Sequence, residues 1–166
     1  TTLSREVGAY LGADVLRSDV VRKELVGLEP TDRTGDGTDA GLYAPAHTEA
    51  TYGELLRRAG SALARGRFVV LDATWLSSGQ RDAARKVADG GAVDVIEIEC
   101  RADKGILLQR MASRAERGDD ASDATPAVLE RQLRRRDPWP EAVSIDTGVE
   151  TVDAAWLETT LGPAPW

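Results

Sequence analysis

Gly66-Arg67-Phe68-Val69-Val70-Leu71-Asp72-Ala73-Thr74-Trp75 is the stretch whose reading decides the fold. Phe68 to Leu71 run without a polar break, and all but Leu71 are β-branched or aromatic. Gly66 precedes them and Ser77-Ser78-Gly79 follow. Such a run predicts a short strand covered on both faces, as in a parallel sheet with helices on each side. Asp72 and Thr74 then arrive at the strand's carboxyl end, where open α/β sheets bind their ligands. A carboxylate there suits a metal ion, held directly or through water; it suits equally well a cap on the next turn.

Outward from this strand the same pattern recurs. Residues 15–19, Val-Leu-Arg-Ser-Asp, read as a second short strand closed by a carboxylate. Residues 93–100 alternate and then thicken, which suggests a strand nearer a sheet edge, and residues 143–148 read as a last strand and turn. Between them lie helical stretches. Leu3, Val7 and Leu11 put one apolar face on a helix over 1–11. Further helices are predicted over 20–28, 45–65, 80–88, 103–117, 126–136 and 152–161, with Gly66, Gly90-Gly91 and Pro138 as stops. Residues 29–41 and 118–124 are Gly- and Asp-rich loops. Strands and helices alternate throughout, so the expected fold is α/β, a doubly wound parallel sheet, in one domain over 1–166.

Composition narrows the function. The net charge of -7 argues against a long nucleic-acid track, which needs a basic face. It leaves room for a phosphorylated small molecule met by local basic groups. Of the 21 basic residues only Lys23, Lys86 and Lys104 are lysine. Arginine suits bidentate capture of phosphate, and a GC-rich genome produces the same bias. Cys100 is the only cysteine, so an intrachain disulfide is excluded and a cytoplasmic, reducing setting is expected. No apolar run approaches a membrane span, and the sequence starts at Thr1 without a visible signal peptide.

Asp19-Val20-Val21-Arg22, the helix ending at Gly66, Val69-Val70-Leu71-Asp72-Ala73-Thr74 with Arg81 following, and Arg110-Met111-Ala112-Ser113-Arg114 before a loop together resemble P-loop kinases of the polynucleotide-kinase and gluconate-kinase type. Similar domains occur behind aminoglycoside-phosphotransferase-like domains in bacteria. The resemblance covers nearly the whole chain and rests on the order and spacing of four motifs, none strong alone. It departs from the family at the start. Such kinases open with an apolar strand and G-x-x-x-x-G-K-[ST], whereas here Thr1-Thr2-Leu3-Ser4 stand first and look like the residues just after the P-loop lysine. The resemblance implies that the first strand and phosphate loop lie upstream, and that without them this chain binds nucleotide poorly.

It also implies an ATP- and Mg²⁺-dependent phosphotransferase with a helical lid over about residues 110–137. On that match Thr1 is the metal-binding hydroxyl with Thr2 beside it, and Asp72 holds Mg²⁺ through water. Asp19 is the base for the acceptor hydroxyl, by placement as well as by resemblance. Arg22 holds the acceptor's anionic or polar group, with Thr74 and Arg81 as further acceptor contacts. Arg110, Arg114 and Arg117 recur on one helix face and would close over ATP; a solvated face paired with nearby acidic residues explains the spacing too. The expected partners are ATP and a small hydroxylated acceptor, with no membrane. A polynucleotide 5′-hydroxyl kinase, or a non-catalytic nucleotide-binding domain of a larger fused protein, are the alternatives. His47 and Trp139 read as structural, and Cys100 as a buried small apolar residue.

Overall fold

A computed structural model describes residues 2–32, 42, 44–117, 121–122 and 125–164. Its elements run α1 (Thr2–Leu11), β1 (Asp14–Arg17), α2 (Ser18–Glu24), α3 (Pro45–Leu63), β2 (Val69–Asp72), α4 (Ser78–Gly91), β3 (Ile98–Arg101), α5 (Lys104–Arg117), α6 (Pro126–Arg135), β4 (Val143–Asp146) and α7 (Ala154–Leu161). The expected α/β alternation is present, and both strand pairings are parallel.

β1 pairs with β2 from Asp14 opposite Val69 to Arg17 opposite Asp72, so the two strands end level. β3 pairs with β4 from Ile98 opposite Val143 to Arg101 opposite Asp146. Among the described residues no ladder joins β2 to β3, so the strands form two separate pairs. Each pair is connected by helices, as parallel strands require.

Local sequence explains the helices around the first pair. Pro45 sits at the first position of α3, where its missing N–H costs nothing. Thr51, Tyr52, Leu55, Ala59 and Ala62 recur three and four apart and form its buried stripe. Gly66 takes φ of +71°, beyond the reach of most side chains, and turns the chain into β2. The core gathers Val21 of α2, Tyr52 and Leu55 of α3 and Trp75 just past β2, with Leu16 and Leu71 of the strands packed against them. Burying Leu55 completely contributes on the order of 1.5–3 kcal/mol. α1 crosses β1 closely at Gly8, where a β-carbon would stand 2.3 Å from Val15 Cγ2.

Four expectations are corrected. β2 is half-buried throughout and Phe68 is 50 % exposed, so the strand is not covered on both faces; among the described residues it pairs with β1 alone. β1 stops at Arg17, and Asp19 lies in the first turn of α2. Residues 93–96 lie outside the ladder and Val93, Val95 and Ile96 are exposed; pairing with β4 begins only where the Glu97 carbonyl accepts from the Val143 N–H at 2.8 Å. Cys100 is exposed, because the pleat of β3 turns Glu99 inward instead. Glu99 is held by Arg101 at 2.6 Å and Arg136 at 3.1 Å.

Candidate active site

The level ends of β1 and β2 bring the two expected carboxylates to one end of the sheet. Asp72, the last residue of β2, accepts a hydrogen bond from Ser4 Oγ at 2.9 Å and lies 3.4 Å from Arg17 Nε. Asp19 follows β1 by one step into α2. Protein surrounding Asp19 pushes its pKa up; the Arg22 guanidinium, a hydrogen bond with Ser122 and Arg17 pull the other way, and the charge of Asp72 adds to the rise. The net shift is upward, which makes the carboxylate a better proton acceptor near neutral pH than an exposed one.

Arg22 and Thr74, three and two residues further along the chain, border a cavity of about 670 Å³, within the range that small-molecule sites occupy, although neither carboxylate lines it. Arg22, Thr48, Tyr52 and Thr74 line it from α2, α3 and the β2 end, and Arg131 and Arg135 from α6. Arg22 is buried and donates to the Leu42 carbonyl at 3.1 Å and to Thr48 Oγ1 at 3.5 Å. Tyr52 Oη lies 3.2 Å from Thr74 Oγ1 and accepts from the Trp75 backbone N–H at 3.1 Å. Trp75 holds a left-handed backbone, φ +48°, rare for so bulky a residue. Its ring meets Tyr52 edge-on at 5.1 Å, and its carbonyl accepts from Arg81 Nη1 at 2.8 Å. Strain over-determined in this way fixes the turn that carries Thr74.

The other expected residues divide. Thr2 opens α1 and is exposed. Thr1 lies outside the described residues. Arg81 is 3 % exposed; it donates to the carbonyls of Trp75 and Pro138 and stacks on the Trp139 ring at 5.0 Å, so its guanidinium ties two loops together. Trp139 Nε1 in turn donates to Glu97 Oε2 at 2.6 Å. Burial raises the pKa of Glu97, but the hydrogen bonds from Arg85 and Trp139 outweigh it and hold the group below its ordinary value. Arg110 donates to Thr147 Oγ1 at 2.8 Å and to the Thr147 carbonyl at 2.5 Å, which fastens α5 to the turn after β4. Arg114 and Arg117 continue along α5. Of the loop 118–124 only Ala121, buried, and Ser122 are described. His47 is exposed, and Trp139 packs against the core, as read from sequence.

Sequence reasoning missed Ser4, Tyr52, Arg131 and Arg135. Ser4 was within reach, since it stands three residues after Thr1 in sequence. Of the two α6 arginines, four apart, Arg135 was hidden in the run Arg134-Arg135-Arg136, which reads as a solvated basic patch, and Arg131 stands just before that run.

The Asp72 carboxylate and the Ser4 hydroxyl offer oxygen donors suited to a hard cation such as Mg²⁺, with the Arg17 guanidinium competing for the same carboxylate oxygen. Asp72 would hold the ion, which when bound supplies positive charge next to transferring phosphate. Among the described residues there is no cluster of three or more His, Cys, Asp or Glu side chains. A zinc-type site therefore has no candidate among them.

Parallel strand pairs with helical connections make an α/β domain, and its likeness to known proteins gives it a P-loop kinase-like fold. The chain belongs to the AAA_33 family of AAA domains, which matches residues 1–139. It is similar to a solved structure from Chloroflexus aurantiacus, provisionally named a kinase, with a TM-score of 0.68 and 21% identity over 96% of this chain and 90% of that one. It is 33% identical over 147 residues to uncharacterized proteins of Mycobacterium bovis and of two Mycobacterium tuberculosis strains. The match covers 89% of this chain and 29% of those proteins. No described helix is long and apolar enough to cross a membrane.

Proposed function

We propose that this chain is the acceptor- and metal-binding part of an ATP-dependent kinase that moves the γ-phosphate of ATP to a hydroxyl of a small molecule. One observation carries the reading: Asp19, in the first turn of α2, and Asp72, at the end of β2, lie at one end of the strand pair, and Arg22 and Thr74, three and two residues further along, line a cavity of ligand size. Asp19 takes the proton from the acceptor hydroxyl as its oxygen bonds to phosphorus, and the bond to the departing ADP breaks with its electron pair. Arg22 and Thr74 orient the acceptor. Asp72, through water, and the hydroxyl of Thr1 would hold Mg²⁺, which would supply positive charge at the transferring phosphate, and Arg110, Arg114 and Arg117 would close over the triphosphate.

The test uses the natural protein that carries this chain, with γ-labelled ATP and sugar, antibiotic and oligonucleotide acceptors. Label is expected on a small hydroxylated compound and to depend on Mg²⁺. Tight ATP binding with no transfer to any acceptor class would make the domain a non-catalytic nucleotide binder.

A further inference from the structure

We infer that the acceptor carries an anionic group, and that α6 reads it through Arg131 and Arg135 together with Arg22. The inference rests on the kinase reading for the word acceptor, but its evidence is the cavity alone. Among the described residues three guanidinium groups line that cavity against one lining carboxylate, Glu49, with the Asp19 carboxylate interacting with Arg22, in a chain whose net charge is -7. A locally positive cavity in an acidic protein is a selective feature, because the surrounding field repels anions and only a concentrated cluster of cations overcomes it. Arg131 and Arg135 are four residues apart on α6, so both face the cavity from one side, while Arg22 faces it from α2.

The neutral lining fits the rest of such a molecule. Thr48, Tyr52 and Thr74 offer hydroxyl groups, and Leu56 and Val128 offer apolar contact, as a polyhydroxylated ring or chain would need. Val128 is also the only buried residue of α6, so little burial holds the helix in place apart from this contact. An anion bridging Arg22 and the α6 pair would therefore draw α6 onto the cavity. The part of the lid nearest the acceptor is set by the acceptor's charge, and the nucleotide is left to α5. A carboxylate and a phosphate monoester share the chemistry that guanidinium groups recognise.

Arginine side-chain NMR signals of the natural protein, followed as acetate and then inorganic phosphate are added without nucleotide, test this. The signals of Arg22, Arg131 and Arg135 are expected to move together, while that of Arg67, paired with Asp14 on the surface, stays still. The anion giving the tighter midpoint tells carboxylate from phosphate. Arg135→Gln, at an exposed position, should weaken the response roughly tenfold, the loss of one charge-assisted hydrogen bond. Saturating a non-hydrolysable ATP analogue first should leave the anion response in place. The inference fails if the three signals do not move, if all surface arginines move equally, or if the analogue abolishes the response, which would give these arginines to the nucleotide. Because no transfer is measured, a protein that binds anions here yet moves no phosphate sinks the kinase reading alone. One that phosphorylates uncharged acceptors with silent arginines sinks this inference alone.

Discussion

The β1–β2 region and the β3–β4 region are built from the same kinds of element and packed very differently. Around β1 and β2, helices α1 to α4 bury Val7, Val21, Tyr52, Leu55, Ala59, Ala62 and Ala88, and Leu55 is fully enclosed. Around β3 and β4, α5 buries nothing, α6 buries only Val128 and α7 only Leu157, while Ile145 is the one enclosed residue of β4. Val93, Val95, Ile96, Leu133, Val143 and Val149 are exposed in this region. The carboxylates sit on the well-packed pair and α5 and α6 belong to the loosely packed one. That division suits a reaction in which the base must be held within a fraction of an ångström and the cations must arrive with the ligand.

Substitutions should reveal the contrast, first in activity. Asp19→Ala is expected to slow phosphoryl transfer on the order of 100- to 10,000-fold, the usual loss for a general base. Arg110→Ala, on the loose side, should slow it less; equal losses in labelled-phosphate transfer would erase the distinction. In stability, Leu55→Ala should cost about 2–5 kcal/mol by denaturant unfolding, because it leaves a cavity in the core, whereas half-buried Leu107 of α5 should cost clearly less on truncation to Ala. A larger loss at Leu107 would mean that the second region is the structural one. Gly8→Ala forces a β-carbon against Val15 where α1 crosses β1, and about 1–3 kcal/mol of destabilisation is expected in the same assay.

The smallest effect concerns pH. The folded protein binds a proton at Asp19 more tightly than the unfolded chain does, since its pKa is raised above 3.8. Stability contributed by this site therefore falls as pH rises from about 3.8 through the raised value, and the ionised group is a net cost above it. Asp19→Asn should raise the melting temperature at neutral pH and leave it little changed in acid. A lower melting temperature at neutral pH would mean that Arg22 and Arg17 stabilise the charge more than burial penalises it.

How much of this was legible in the sequence follows the same division. In the β1–β2 region the apolar run at Phe68–Leu71 and the three- and four-residue spacing of α3 foretold the elements, because the pattern there matches the parallel pairing and the buried stripe, although Phe68 itself is exposed. Asp19 was displaced by one element only, strand end to helix start, since Ser18-Asp19 serves both. In the β3–β4 region alternation at Val93 and Val95 suggested strand where the chain is unpaired, and Cys100 was given the burial that Glu99 takes. Pattern reports periodicity, and the choice of inward face depends on partners such as Arg101 and Arg136, which lie near in space rather than at a fixed spacing. Arg81 looked like a ligand contact because a charged residue after a strand-end motif has the right chemistry. Only the fold reveals that two backbone carbonyls and Trp139 already use it.

The most direct test of the central claim is the ATP affinity of Asp19→Ala and Asp72→Ala in the natural protein, measured by calorimetry with and without Mg²⁺. Asp19→Ala is predicted to bind ATP almost as the parent does in both conditions, and Asp72→Ala to lose the part of the affinity that Mg²⁺ adds. An Asp19→Ala protein whose ATP affinity falls as far as its transfer rate would make Asp19 a nucleotide or metal contact, and the assignment of base and metal ligand to the ends of β1 and β2 would be wrong.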